Sequence, residues 1–232
     1  MFLEAHDLNT YYGKSHVLQD VSVDVDRGEV VALIGRNGSG RSTTLKSIMG
    51  VVPPRSGSVT LAGRNIAGLK PYRIARLGVA YVPEERRIFP NLSVLENLKL
   101  ATLAGRKGQW DHKRVFEFFP RLEERKASTG KALSGGEQQM LTIARALIQN
   151  PEIILLDEPL EGLAPVVAQA IQSAIIEMKR EGMTMLLVEQ NARVALAVSD
   201  RAHVLSDGRI VASKKSSELR DDHELIQRYL SV

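Results

Sequence analysis

Gly35-Arg36-Asn37-Gly38-Ser39-Gly40-Arg41-Ser42-Thr43 is a glycine-rich run that follows the apolar stretch Val30-Val31-Ala32-Leu33-Ile34 and opens a helical segment. Such a run can curl so that successive backbone N–H groups face one phosphate, with the positive end of a helix behind them. Ser42 adds a hydroxyl of the kind that meets Mg²⁺. A second candidate is Asp157-Glu158, two adjacent carboxylates closing the apolar run Ile153-Ile154-Leu155-Leu156. Between them lies Ser134-Gly135-Gly136-Glu137-Gln138, a further glycine-lined helix start with a serine donor. Alone, each run has a bland reading: a tight turn, a solvated acidic loop, a plain helix cap. Their order along one chain points instead to phosphate chemistry on two separate surfaces.

The elements that must position these residues alternate between strand-like apolar runs and helical stretches, the pattern of an α/β sheet covered on both faces. Strands are predicted at Val30 to Ile34, Ile153 to Leu156 and Met185 to Val188. Helices are predicted from Ser42 to Met49, closed by Gly50, and from about Pro165 to Arg180, stopped by Gly182. Asp207-Gly208 between two apolar triplets reads as a hairpin. From about Glu84 to Asn150 no buried strand is legible. Ser93-Val94-Leu95-Glu96 is a capping box, Lys113 to Phe119 reads as a helix ending before Pro120, and Glu137 to Ile148 as a third. This middle stretch is expected to be a helical subdomain inserted into the α/β core.

The chain has 232 residues, enough for one large domain or a domain with a subdomain. No apolar run approaches the roughly 18–20 residues that cross a bilayer, and Met1-Phe2-Leu3-Glu4 does not open a signal peptide. A cytosolic chain is therefore expected, reaching a membrane through a partner. With no cysteine, disulfides, thiolate catalysis and cysteine-held metals are excluded. The net charge of +4 is spread among 27 acidic residues, with only short basic clusters, so no nucleic-acid partner is expected.

From Gly35 to Ser42, Leu133-Ser134-Gly135-Gly136-Glu137-Gln138-Gln139 and Asp157-Glu158, the chain resembles the ATP-binding subunits of ABC transporters over nearly its whole length. The resemblance implies an α/β fold: a P-loop NTPase (RecA-like) core with an N-terminal antiparallel β subdomain and an inserted helical subdomain. It divides the single domain into a core of 1–83 and 150–232 and a helical part of 84–149. It implies ATP and Mg²⁺ as ligands. Asp157 and Ser42 then support Mg²⁺, Glu158 orients the attacking water, and Tyr12, just before Gly13, stacks on adenine. Ser134, Gly135 and Gly136 cover the γ-phosphate held by another copy or a related chain, so one loop and one signature make half of a two-site dimer. Leu160-Glu161-Gly162-Leu163 stands where the subunit-communicating loop belongs. The groove for a membrane subunit is expected near Glu84 to Phe89.

Three positions depart from the family pattern. Glu84 replaces the usual glutamine near Mg²⁺ and the attacking water, and Gln190 replaces a histidine that contacts the γ-phosphate. With Tyr81 to Phe89, Glu161 to Pro165 and Val188 to Asn191, these two look like one of the ATP-binding subunits of bacterial branched-chain amino-acid importers, where the same departures are common. Arg41 stands where lysine is expected. It keeps the charge but exchanges a compact ammonium for a wider planar fork, so binding is expected to survive and hydrolysis to slow. The expected partners are a second ATP-binding subunit, membrane permease subunits and, indirectly, a periplasmic solute-binding protein. Rival readings are the same role in a urea or short-amide importer, a soluble ATPase of this type acting on DNA or ribosomes, and a nucleotide switch that hardly hydrolyses.

Overall fold

The computed structural model describes residues 1–230. Along the chain run β1 (Leu3–Tyr12), β2 (Ser15–Val25), β3 (Val30–Gly35), α1 (Arg41–Ile48), β4 (Ser56–Leu61), β5 (Arg64–Asn65), α2 (Pro71–Arg76) and β6 (Val79–Val82). Four helices follow: α3 (Val94–Thr102), α4 (His112–Phe118), α5 (Pro120–Glu124) and α6 (Gly135–Leu147). Then come β7 (Ile153–Asp157), α7 (Pro165–Arg180), β8 (Thr184–Glu189), α8 (Ala192–Val198), β9 (Arg201–Ser206), β10 (Arg209–Lys215), α9 (Ser216–Asp221) and α10 (His223–Tyr229).

Two sheets result. An antiparallel one has the order β2-β1-β4-β5; a six-stranded one has the order β10-β9-β3-β8-β7-β6. The strands from β9 to β6 pair in parallel, and β10 joins antiparallel through the Asp207-Gly208 turn. β3, β7 and β8 are buried at every residue, as continuous apolar runs in a sheet covered on both faces should be.

Side-chain alternation divides the apolar contacts. Ile154, Leu156, Met185 and Leu187 face one cluster, shared with α3 to α7; Ile153, Leu155, Leu186 and Val188 face another, shared with β1, β2 and α1. Trp110, Phe116, Phe119 and Leu141 belong to the first cluster together with Ala80 and Val82 of β6. The helices between β6 and β7 therefore bury their apolar faces against the sheet, although those two strands pair directly.

Local boundaries add detail to the expected pattern. α4 ends before Pro120 as expected, but a further helix, α5, begins at that proline, because a proline costs nothing at a first helical position where its N–H would be orphaned anyway. α6 starts two residues earlier than predicted, since Ser134 caps it and places Gly135 and Gly136 in its first turn. A 3₁₀ turn, Gly130–Ala132, leads into Ser134.

Candidate active site

The phosphate loop joins β3 to α1. Gly35 admits no side chain, because a Cβ there would stand 2.2 Å from the carbonyl oxygen of Leu205. Gly38 and Gly40 take left-handed backbone angles, φ 80° and 109°, that other residues reach only at a cost. The turn closes through Ser39 N–H donating to Arg36 O at 3.1 Å. Gly40 is the N-cap of α1 and no side chain caps it, so the helix opens onto the loop with its N–H groups free of protein side chains. Thr43 and Thr44 are buried behind the loop, Thr44 Oγ1 donating to Gly40 O at 3.1 Å.

A cavity of 490 Å³ covers this loop, lined by Arg36 to Thr43 with Val17, Glu84, Glu158 and Glu161. Ser39 Oγ, Arg41 Nη1 and Asp157 Oδ1 are buried here without a hydrogen-bond partner. Buried polar atoms are nearly always satisfied. Ser39 Oγ and Arg41 Nη1 can donate to an anionic ligand at this phosphate-type loop, whereas Asp157 Oδ1, an acceptor, calls for a cation or a donor beside that anion.

Arg41 does not lie idle. Its Nη2 donates to Glu158 Oε1 at 2.6 Å and to Asn37 Oδ1 at 3.2 Å, and its side chain is almost wholly buried. Glu158 itself sits at φ 47°, a strained angle for a residue with a Cβ. Its N–H donates to Val188 O at 3.0 Å, which fixes it against the end of β8.

Asp157 Oδ2 accepts from the Tyr81 hydroxyl at 2.7 Å. Burial pushes its pKa up, opposed by the hydroxyls of Ser42 and Tyr81 and the charge of Lys46. Burial, the Asp157 carboxylate and the hydrogen bond to it push the Tyr81 hydroxyl far up, so Tyr81 is a fixed donor. Glu84 is also raised, first by burial and then by Glu158 and Asp157. Glu189, at the tip of β8, is pushed to about 7, chiefly by burial, opposed by the Leu160 N–H that it accepts at 3.3 Å. Gln190 follows it and lines an adjoining cavity of 630 Å³ with Gly35, Asn37 and Glu161.

The sheet thus brings together the loop, Glu84, Asp157, Glu158 and Gln190. Tyr12 and Ser134 to Gly136 lie outside the loop cavity. Tyr12 is 48% exposed at the end of β1, whereas Tyr11 is sandwiched between His16 and the Arg55 guanidinium. Ser134 caps α6 by accepting from Glu137 N–H, and Glu137 accepts from Ser134 N–H in return. A Cβ at Gly136 would stand 2.1 Å from Val167 Cγ1. Sequence reasoning assigned no role to Tyr81, Lys46 and Glu189. The signal was a hydroxyl or carboxyl inside an otherwise apolar strand, at Val79-Ala80-Tyr81-Val82 and Met185 to Glu189.

A glycine-rich loop at an uncapped helix start, with acidic strand ends beside it on a parallel sheet, defines a P-loop nucleotide-binding protein. A family model described as ABC transporter matches residues 18–161. The chain is 45% identical over 225 residues to the high-affinity branched-chain amino acid transport ATP-binding protein BraG of Pseudomonas aeruginosa, covering 96% of this chain and 97% of that one. It is 40% identical over 227 residues to the probable branched-chain amino acid transport ATP-binding protein LivF of Archaeoglobus fulgidus, covering 95% and 94%. It is 35% identical over 233 residues to the lipopolysaccharide export system ATP-binding protein LptB of Escherichia coli, covering 98% and 96%. Among solved structures, an ATP-binding subunit of an ABC transporter superposes with a TM-score of 0.84 at 34% identity, covering 97% and 94%. A bacterial ABC transporter cassette solved as a dimer gives 0.80 at 28% identity, covering 92% and 98%. The chain belongs to the ABC transporter family and is one of its ATP-binding cassettes. Among the described residues no helix is long and apolar enough to cross a membrane.

Proposed function

We propose that this chain is the ATP-hydrolysing subunit of a bacterial importer for branched-chain amino acids, peripheral on the inner face of the cell membrane. The observation that carries the chemical part is the trio of unpartnered buried atoms, Ser39 Oγ, Arg41 Nη1 and Asp157 Oδ1, around the loop cavity. The relatives BraG and LivF support the cargo. LptB, at lower identity, supports an export role as the second reading.

The loop N–H groups and the open end of α1 bind the phosphates, and Tyr12 offers an exposed ring to the adenine. No group of three or more His, Asp or Glu side chains among the described residues could hold a metal by itself. Ser42 and Asp157, with Glu84 nearby, suit Mg²⁺ only as a co-ligand of the phosphates. When bound, that ion supplies charge neutralisation at the phosphate oxygens. Glu158 accepts the proton of the attacking water once Arg41 has turned from it toward phosphate. Gln190 offers a donor and an acceptor toward the γ-phosphate.

Ser134 to Gly136 belong to a second site. Their place outside the loop cavity supports a dimer in which they cover the nucleotide of a partner ATP-binding chain. Residues 84–149 form the helical subdomain that carries them. A cleft of 250 Å³ between that subdomain and the core is lined by Lys46, Arg86, Arg87 and Arg145, with no carboxylate among its lining residues. It suits an acidic cytoplasmic segment of a permease subunit; the solute-binding protein acts through the permeases.

Turnover of MgATP by the purified chain, beside Glu158→Gln, tests the reading. The variant should lose at least a hundredfold in turnover and form an ATP-dependent dimer on size exclusion. Retained turnover removes Glu158 from its role, and absence of ATP binding to the unaltered chain overturns the reading as a whole. Leucine uptake, against urea, by vesicles reconstituted with the permease subunits decides the cargo.

A further inference from the structure

The nucleotide chemistry leaves one buried carboxyl without a task. Glu189 ends β8, a strand whose other residues include Met185, Leu186, Leu187 and Val188, all buried. It is itself only 3% exposed. An apolar side chain would complete that strand without the desolvation cost that a carboxyl carries. Its register partner is Ile34, immediately before the phosphate loop, and its chain neighbour is Gln190. Its Oε1 accepts from the N–H of Leu160, two residues beyond Glu158.

The loop after β7 is thus tied to the end of β8 at two points: Glu158 N–H to Val188 O, and Leu160 N–H to Glu189 Oε1. Between them runs the strained backbone of Glu158 and the buried Pro159. The groups facing Glu189 are Arg41 from α1 and Glu158 and Glu161 from this same loop. The first tie is backbone to backbone, so no substitution tunes it. The second depends on one side chain.

We infer that Glu189 is a positioning residue for ATP hydrolysis, holding the loop from Glu158 to Leu163 against the strand end that carries Gln190. It acts by accepting the Leu160 N–H and touches no substrate. In this way it sets where the Glu158 carboxylate stands and links the γ-phosphate side of the site to the segment facing the partner chain. The inference rests on the proposed ATPase reading.

Glu189→Met fills nearly the same volume without an acceptor, and Glu189→Gln keeps the acceptor oxygen. Three quantities are read for each: equilibrium affinity for MgATP, turnover at saturating MgATP, and hydrogen exchange of the Leu160 amide. The methionine variant should lose at least tenfold in turnover, keep its ATP affinity within threefold, and exchange Leu160 at least tenfold faster while amides of β8 stay protected. The glutamine variant should stay within threefold of the unaltered chain on all three. Equal turnover in the methionine variant overturns the inference, as does an equal loss in both variants or a loss of ATP affinity that matches the loss of turnover. If the methionine variant does not fold, exchange in the unaltered chain decides: an unprotected Leu160 amide overturns the inference, a protected one that persists in Glu189→Gln supports it. Failure of the unaltered chain to bind MgATP would instead sink the ATPase reading, which separates the two.

Discussion

Arg41 Nη2 stands 2.6 Å from Glu158 Oε1, a buried ion pair between the phosphate loop and the carboxylate proposed to receive the proton of water. Both partners are nearly shut off from solvent, so the contact is little screened. While the pair holds, Arg41 can meet a nucleotide only through its unpartnered Nη1, and Glu158 Oε1 is unavailable to water. The guanidinium fork reaches Asn37 Oδ1 as well, which a single ammonium point is poorly shaped to copy.

Arg41→Lys should therefore raise turnover at saturating MgATP several-fold, because the carboxylate is released more readily. The measurement is steady-state phosphate release by both forms. Identical rates would show that the fork does not restrain Glu158. Arg41→Met, by contrast, leaves Glu158 buried without its partner and should both destabilise the fold and weaken ATP binding, the former by about 3 kcal/mol.

Tyr81→Phe removes the hydroxyl that donates to Asp157 Oδ2. A hydrogen bond to a charged group contributes about 1.5–3 kcal/mol, so Asp157, proposed above to support Mg²⁺, becomes a poorer ligand. The Mg²⁺ concentration giving half-maximal turnover should rise roughly tenfold, with the maximal rate little changed. A magnesium titration at fixed ATP checks this; an unmoved midpoint counts against Asp157 as the magnesium ligand.

Gly136→Ala drives a methyl into Val167 Cγ1. Overpacking of this kind costs about 1–3 kcal/mol, a fall in Tm of some degrees for a chain of this size. Adding Val167→Ala should recover most of the loss, a coupling that a double-mutant cycle reads directly. Additive losses would mean that the first turn of α6 moves aside freely.

His203 is 3% exposed on β9, its Nδ1 bonded to Ser213 Oγ. Burial, then the charge of Arg201, pulls it down from 6.5 to about 4. Since the folded value lies below the unfolded one, the unfolded chain takes up the proton first. Stability is therefore complete above about pH 6.5 and falls as pH drops toward 4. Between pH 6.5 and 5 the loss should be roughly 2 kcal/mol. Denaturant midpoints at the two values, for the chain and for His203→Gln, test it; an equal decline in both would place the acid sensitivity elsewhere.

The sequence alone was sufficient wherever chemistry is carried by neighbours in the chain. β3, β7 and β8 were legible as apolar runs, α6 as a helix entered through Ser134, and the loop as eight residues with their glycines in place. Turn and cap preferences are local, and so is the burial implied by an unbroken apolar stretch. Pro120 marked the end of α4 correctly but did not reveal the start of α5, since a proline suits equally a helix end and a helix start. What only the tertiary structure decided is which carboxylate meets which partner. Arg41 finds Glu158 across 117 positions and Tyr81 finds Asp157 across 76. Glu189 finds Leu160 only because β8 lies beside β7. The order in which strands lie in a sheet is set by burial over the whole molecule, and no local pattern records it.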